Sequence, residues 1–213
     1  MTPEQPLSGR TLDAVLDAFA SSAPVPGGGS AAALAGAVGA ALLIMVAGLK
    51  RRSDDAEADL LAGAADRLRP LRTQLTALVD RDADAYASVM SALRLPKADE
   101  IQAAARRQAL DAAMRSATEA PLETMRLCRR ALGEALAVAE RCVPSAASDV
   151  GVAIELLRAA VHGAEMNVDT NLASVGDAAY VSGVSAEQQQ LVKESQADAD
   201  RGLALVADAK TRR

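Results

Sequence analysis

Residues 31–49 run for nineteen positions without a charge, and any fold open to this chain must bury that segment or place it in a bilayer. Eight of the nineteen are alanine and three are glycine, so transfer to lipid gains little, and no basic region precedes the run as a signal peptide requires. The expectation is a central buried helix, not a membrane span. Only Phe19, Tyr86 and Tyr180 are aromatic, so the core has to be built from Ala, Leu and Val. Alanine is the best helix former and lets helix axes approach closely, whereas strands draw on the β-branched and aromatic residues that are scarce here. The fold class that follows is all-α: a multi-helix up-and-down bundle around an apolar Ala/Gly-rich helix. A chain of 213 residues is expected to form one domain, residues 1–213.

The formal charge of −5, from 23 basic and 28 acidic residues, gives no positive field to attract a phosphate backbone, so no nucleic acid partner is expected. Cys128 and Cys142 are too few and too far apart for a disulfide framework or a CxxC metal site, and His162 is the only histidine. Free thiols in a reducing cytoplasm are expected, with no metal and no membrane partner.

Leu12, Val15, Leu16 and Phe19 predict a first helix, which the Pro- and Gly-rich residues 24–29 end. Ser30 is then placed to cap the apolar helix. Charged residues 50–55 mark its exit to solvent, and a long amphipathic pattern continues to Leu93 with Pro70 as a kink or break. After a turn at residues 95–97, helical segments are predicted over residues 99–118, 121–142, 148–173 and 186–213.

Chemistry concentrates in three places. On a helix at about 100° per residue, Asp80 and Asp84 share one face while Asp82 points nearly the opposite way. Asp82 falls in the stripe of Leu68, Leu71, Leu75, Leu78, Val79 and Tyr86 that continues to Leu93. A carboxylate removed from water needs a partner or a proton, so Asp82 is either a general acid/base or one half of an ion pair with an arginine from another helix. Asp80 and Asp84 read as a solvated face. Gly27, Gly28 and Gly29, ahead of Ser30, expose backbone N–H groups at a helix N-terminus where an anionic or carbonyl-bearing ligand could dock, though a flexible connector has the same composition. Ser148 is expected to cap a helix that Asp149 favours through the dipole. Further along it, Asn167 and Asn171 flank a column of small residues, where they could bond a heterocycle or a neighbouring helix's backbone. His162 lies away from that flank and reads as structural.

Taken together, these residues resemble the cyclodeaminase/cyclohydrolase family. The matching pieces are PxPGGGS at residues 24–30, DxDADAY at 80–86, RLPK at 94–97, APL at 120–122, SDxxVA at 148–153 and GAxxNVxxN at 163–171. The resemblance implies an all-helical oligomer, a homodimer or dimer of dimers, with folate sites near subunit contacts. It implies Asp82 as the acid/base with Asp80 as second candidate, and Gly27, Gly28, Gly29 and Ser30 as the lining of the folate pocket. Asp149 would touch the pterin or orient the base, Asn167 and Asn171 would complete a polar wall, and Lys50 with its basic neighbours would attract the glutamate tail. The implied activity is hydrolysis of 5,10-methenyltetrahydrofolate to 10-formyltetrahydrofolate. The alternative is release of ammonia from the 5-formimino form; neither calls for a cofactor. Residues 144–147 lack the amide that often precedes the Ser-Asp pair, and Glu165, Met166, Asp169 and Thr170 also depart from the pattern. A non-catalytic folate-binding protein or helical scaffold is the rival expectation.

Overall fold

The computed structural model describes residues 5–49 and 55–211, and among them it contains six α-helices and no strand. A 3-10 turn at Leu7–Gly9 precedes α1 (Leu12–Ala20). The apolar helix α2 (Gly28–Ala47) follows, then α3 (Asp55–Leu93) and α4 (Glu100–Arg141), then a second 3-10 turn, Pro144–Ala146. The chain ends in α5 (Ala147–Leu172) and α6 (Ala178–Thr211).

Helix α2 packs against α3, α4 and α5. Its glycines set those distances, because a Cβ at Gly36 would stand 2.6 Å from the Cys128 sulfur and one at Gly39 would stand 2.9 Å from the Ala153 carbonyl. Side chains of that size cannot fit, so the axes approach as closely as backbone allows. The same neighbours fix direction. Gly28 faces Asn167, Gly36 faces Ala160 and Gly39 faces Leu157, so α2 and α5 run antiparallel. The core around this seam is Leu, Val and Ala: Leu43, Leu68, Leu71, Leu75, Val150 and Leu157 are among the fully buried side chains. By length and composition α2 is able to cross a membrane, with a mean hydropathy of 2.2, but much of it is enclosed by its neighbours.

Several predicted boundaries are corrected. Helix α3 passes through Pro70 without a break. Pro70 is exposed, so the carbonyl that loses its helical donor there can be hydrated. The two segments predicted over 99–118 and 121–142 are one helix that runs through Pro121. Proline at position 121 has no N–H for the carbonyl of Ala117 four residues earlier, and in this buried stretch a protein donor takes its place: Asn171 Nδ2 donates to Ala117 O at 2.9 Å. Helix α6 begins at Ala178, eight residues before the predicted start, because Asp177 Oδ1 accepts from the backbone N–H groups of Ala179 and Tyr180 and caps it. Helix α5 begins at Ala147, so Ser148 lies inside its first turn and makes no cap.

Candidate functional site

Where α2 begins, its first free N–H groups need acceptors. Gly27 occupies the N-cap position with extended backbone and has no side chain to offer. The acceptor comes from α3: Asp82 Oδ2 receives the Ser30 backbone N–H at 2.8 Å. The Ser30 hydroxyl lies 3.0 Å from the same oxygen and 2.9 Å from Val79 O, and its single proton is shared between them. Ser30 is therefore not the N-cap expected of it. It is the third helical residue, buried, and it anchors a carboxylate that caps the helix from 52 residues away.

Gly29 lets that carboxylate come close. A Cβ there would stand 2.1 Å from Asp82 Oδ1 and 2.8 Å from Oδ2. Both Ser30 contacts fall on Oδ2, which leaves Oδ1 with no donor among the described residues. Asp82 is half-buried, and burial pushes its carboxyl above the usual aspartate range against the smaller opposing pull of the Ser30 hydroxyl and N–H. No arginine pairs with it among the described residues, so the ion-pair reading has no partner here. A carboxylate with one oxygen held, the other free and its proton affinity raised by desolvation is equipped to take a proton from a bound water. The N–H groups of Gly28 and Gly29 have no acceptor among the described residues and lie at the positive end of the α2 dipole.

Across the N-terminus of α2, Asn167 stands against Gly28, its Nδ2 3.3 Å from where a Gly28 Cβ would be. That amide donates to Gly163 O at 2.8 Å, which fixes its orientation on α5. Asp82, Gly27, Gly28, Gly29, Ser30 and Asn167 are thus brought together by three elements. Tyr86, one turn beyond Asp82 on the same face of α3, is partly exposed rather than packed into the core, and Leu93 is exposed too. The apolar stripe that predicted Asp82's burial therefore ends at about its own level.

The other expected residues lie elsewhere. Asp80 accepts the Ser8 backbone N–H at 3.2 Å and the Ser8 hydroxyl, and so ties the N-terminal turn to α3 instead of facing solvent alone. Its side of α3 opens on a cleft of about 650 Å³, which Arg10, Pro26 and Asp84 also line. Asn171 gives its N–H to α4, as described above. Asp149 sits in the first turn of α5, about 27 Å along that helix from Asn167, so one chain does not bring it to Asp82. Lys50 lies outside the described residues. The partners missing from the sequence reading are Val79 O and Gly163 O. Backbone acceptors leave no mark in residue types. The side-chain-free cap at Gly27, however, is a sequence signal that α2 needs an acceptor from elsewhere.

Comparison with known proteins gives a consistent result. Residues 11–190 match the family described as Formiminotransferase-cyclodeaminase. A methenyltetrahydrofolate cyclohydrolase from Methylorubrum extorquens is 38% identical over 188 residues, covering 87% of this chain and 90% of that protein. A formimidoyltransferase-cyclodeaminase from Rattus norvegicus is 35% identical over 178 residues, covering 82% of this chain but only 33% of that longer protein. A crystal structure of formiminotetrahydrofolate cyclodeaminase from Thermotoga maritima superposes with a TM-score of 0.85 at 22% identity, over 95% of this chain and 98% of that one, which establishes the shared fold.

Proposed function

The chain belongs to the formiminotransferase-cyclodeaminase family, and from that premise we propose that it hydrolyses 5,10-methenyltetrahydrofolate to 10-formyltetrahydrofolate with Asp82 as general base. The observation that carries the reading is the divided carboxylate, with Oδ2 anchored by Ser30 and Oδ1 free. Water attacks the amidinium carbon that bridges N5 and N10, and Asp82 Oδ1 takes one of its protons. The carbon–N5 bond then breaks as Asp82 returns that proton to N5. The second water proton leaves to solvent as the formyl C=O forms on N10, so the cationic bridge gives a neutral formamide and one proton. An anionic Asp82 also attracts the cationic bridge, and the free N–H groups of Gly28 and Gly29 suit the oxygen that gains negative charge. Asn167 forms the opposite wall.

The cyclohydrolase is preferred because the relative of that name is 38% identical over 90% of its length, whereas the formiminotetrahydrofolate cyclodeaminase from Thermotoga maritima, covered equally well, is 22% identical. The chain spans about a third of the length of the formimidoyltransferase-cyclodeaminase from Rattus norvegicus. Cyclodeamination is the second reading, favoured by the same family: the base would help N10 attack the formimino carbon, and ammonia would leave as the bridge closes. The test is turnover of 5,10-methenyltetrahydrofolate beside 5-formiminotetrahydrofolate with ammonia detection. Loss of the methenyl absorbance above the buffer rate is expected. Ammonia release alone would reassign the chain to deamination, and neither activity nor binding would end the folate reading. On this proposal the protein works in the cytoplasm with no metal or redox cofactor.

A further inference from the structure

Helix α2 starts beside Asp82, whereas α3 runs past Asp82 to Leu93, a further stretch of about 16 Å. On the part of α3 before Asp82, the stripe that faces α2 is closed: Leu68, Leu75 and Val79 are at most 2% exposed. Past Asp82 the same stripe is open. Tyr86 is 37% exposed and Leu93 40%, with Val89 and Met90 half-buried between them, and none of the four is charged. The loop that leads into α2 passes another side of α3. There Pro26 lines a cleft with Asp80, Ala83, Asp84 and Ala87, and none of the four stripe residues belongs to that cleft. Long side chains on a helix lean toward its N-terminus, so the Tyr86 ring covers the turn that carries Asp82.

The chain has two tyrosines, and their rings are used differently. Tyr180 carries the Arg115 guanidinium 4.9 Å from its ring centroid, and its hydroxyl donates to Glu119 at 3.2 Å. Over Tyr86 no cation lies among the described residues, and its hydroxyl has no partner there. A partly exposed ring without a polar partner thus stands one turn, about 6 Å, from the candidate base.

Resting on the folate reading above, we propose that Tyr86 is a positioning residue for the substrate, its ring face carrying the delocalised cation of 5,10-methenyltetrahydrofolate. The positive charge is shared between N5, N10 and the carbon that joins them, which makes the bridge flat. Laid along α3, that flat group shows one face to both side chains. The bridge carbon, with the attacking water beneath it, stands over Asp82, and the adjoining part of the plane stands over Tyr86. A cation within about 6 Å of a tyrosine centroid is attracted by the ring's quadrupole, most strongly where water is excluded. Val89, Met90 and Leu93 continue an apolar strip along which the rest of the ring system can lie. The contact favours substrate over product, because the opened bridge is a neutral formamide and the attraction to the ring goes with the charge. Tyr86 thereby selects a charged bridge and takes no proton.

The KM for 5,10-methenyltetrahydrofolate and the inhibition constant of the neutral product, 10-formyltetrahydrofolate, read in one absorbance assay, test this. Tyr86→Leu keeps apolar bulk and helix propensity but removes the π face. It should raise KM about tenfold with kcat within about threefold of wild type, and change the inhibition constant by less than about twofold. Tyr86→Phe keeps the face and should match wild type in both constants within about twofold. Both variants should keep their helical circular dichroism and melting temperature, as a 37% exposed position allows. An unchanged KM in Tyr86→Leu, equal losses for cation and neutral product, or a Tyr86→Phe enzyme as weak as Tyr86→Leu would each overturn the assignment and leave the proposed reaction standing. So would unfolding of Tyr86→Leu, which would make the ring a packing group. A wild type without methenyltetrahydrofolate turnover overturns both.

Discussion

Gly29→Ala adds one methyl group at the point where α2 meets the candidate base. The new Cβ would stand 2.1 Å from Asp82 Oδ1, while ordinary contact begins at 3.4 Å, so the carboxylate must retreat by about 1.3 Å if it alone moves. That retreat breaks the 2.8 Å bond from the Ser30 N–H and uncaps the helix. Overpacking of this kind costs about 1–3 kcal/mol, offset by about 0.5–1 kcal/mol for alanine over glycine in a helix. Net destabilisation should be up to about 2.5 kcal/mol. A catalytic group misplaced by 1 Å loses on the order of 100-fold in rate, equivalent to about 2.7 kcal/mol of barrier. Urea melts and methenyltetrahydrofolate decay read the two effects. Gly183→Ala is the control, because a Cβ there meets nothing within 4 Å. It should gain about 0.5–1 kcal/mol and keep full turnover. If Gly29→Ala behaves like Gly183→Ala in both assays, Asp82 does not rest on Gly29 and the reasoning fails.

Burial raises the folded pKa of Asp82, so its contribution to stability is complete below the unfolded value of about 3.9 and is lost as pH rises through the folded one. Asp82→Asn should therefore melt at or above wild type at neutral pH, with the advantage shrinking as pH falls toward about 4; a variant less stable at neutral pH would contradict this. Ser30→Ala removes one of the contacts that lower the Asp82 pKa, so the acid limb of kcat/KM should move to higher pH, and an unmoved or lowered limb counts against the anchor. Asn171→Ala leaves the buried Ala117 carbonyl without a donor and should cost about 1–3 kcal/mol in urea melts. In a Pro121→Ala background a helical N–H is restored to that carbonyl, so the same change should cost less. Equal costs in the two backgrounds would refute the pairing.

The helical class was legible because Ala-rich, aromatic-poor composition has few other solutions, and Asp82 was legible because its wheel position sets it apart from Asp80 and Asp84. Its partner was not. The acceptor for α2 comes from a helix 52 residues away, so the local rule that gives a serine before an apolar run the cap misplaced Ser30. The prolines misled for a related reason. Pro70 and Pro121 each remove one helical bond, but water can reach the first gap and Asn171 fills the second, and neither remedy is local in sequence. The motifs around Pro121 and Asn171, noted as separate pieces, are two sides of one hydrogen bond. Asp149 shows what motif order leaves out. It precedes Asn167 on one straight helix, and that helix carries it to the far end of the molecule.

The central claim is that Asp82 takes the proton from water, and turnover of 5,10-methenyltetrahydrofolate by wild type and Asp82→Asn tests it most directly. Asparagine keeps the shape and can still accept the Ser30 N–H, so substrate binding and melting temperature should persist while kcat falls by about 10²–10⁴. An Asp82→Asn enzyme that turns over at the wild-type rate would place the base elsewhere.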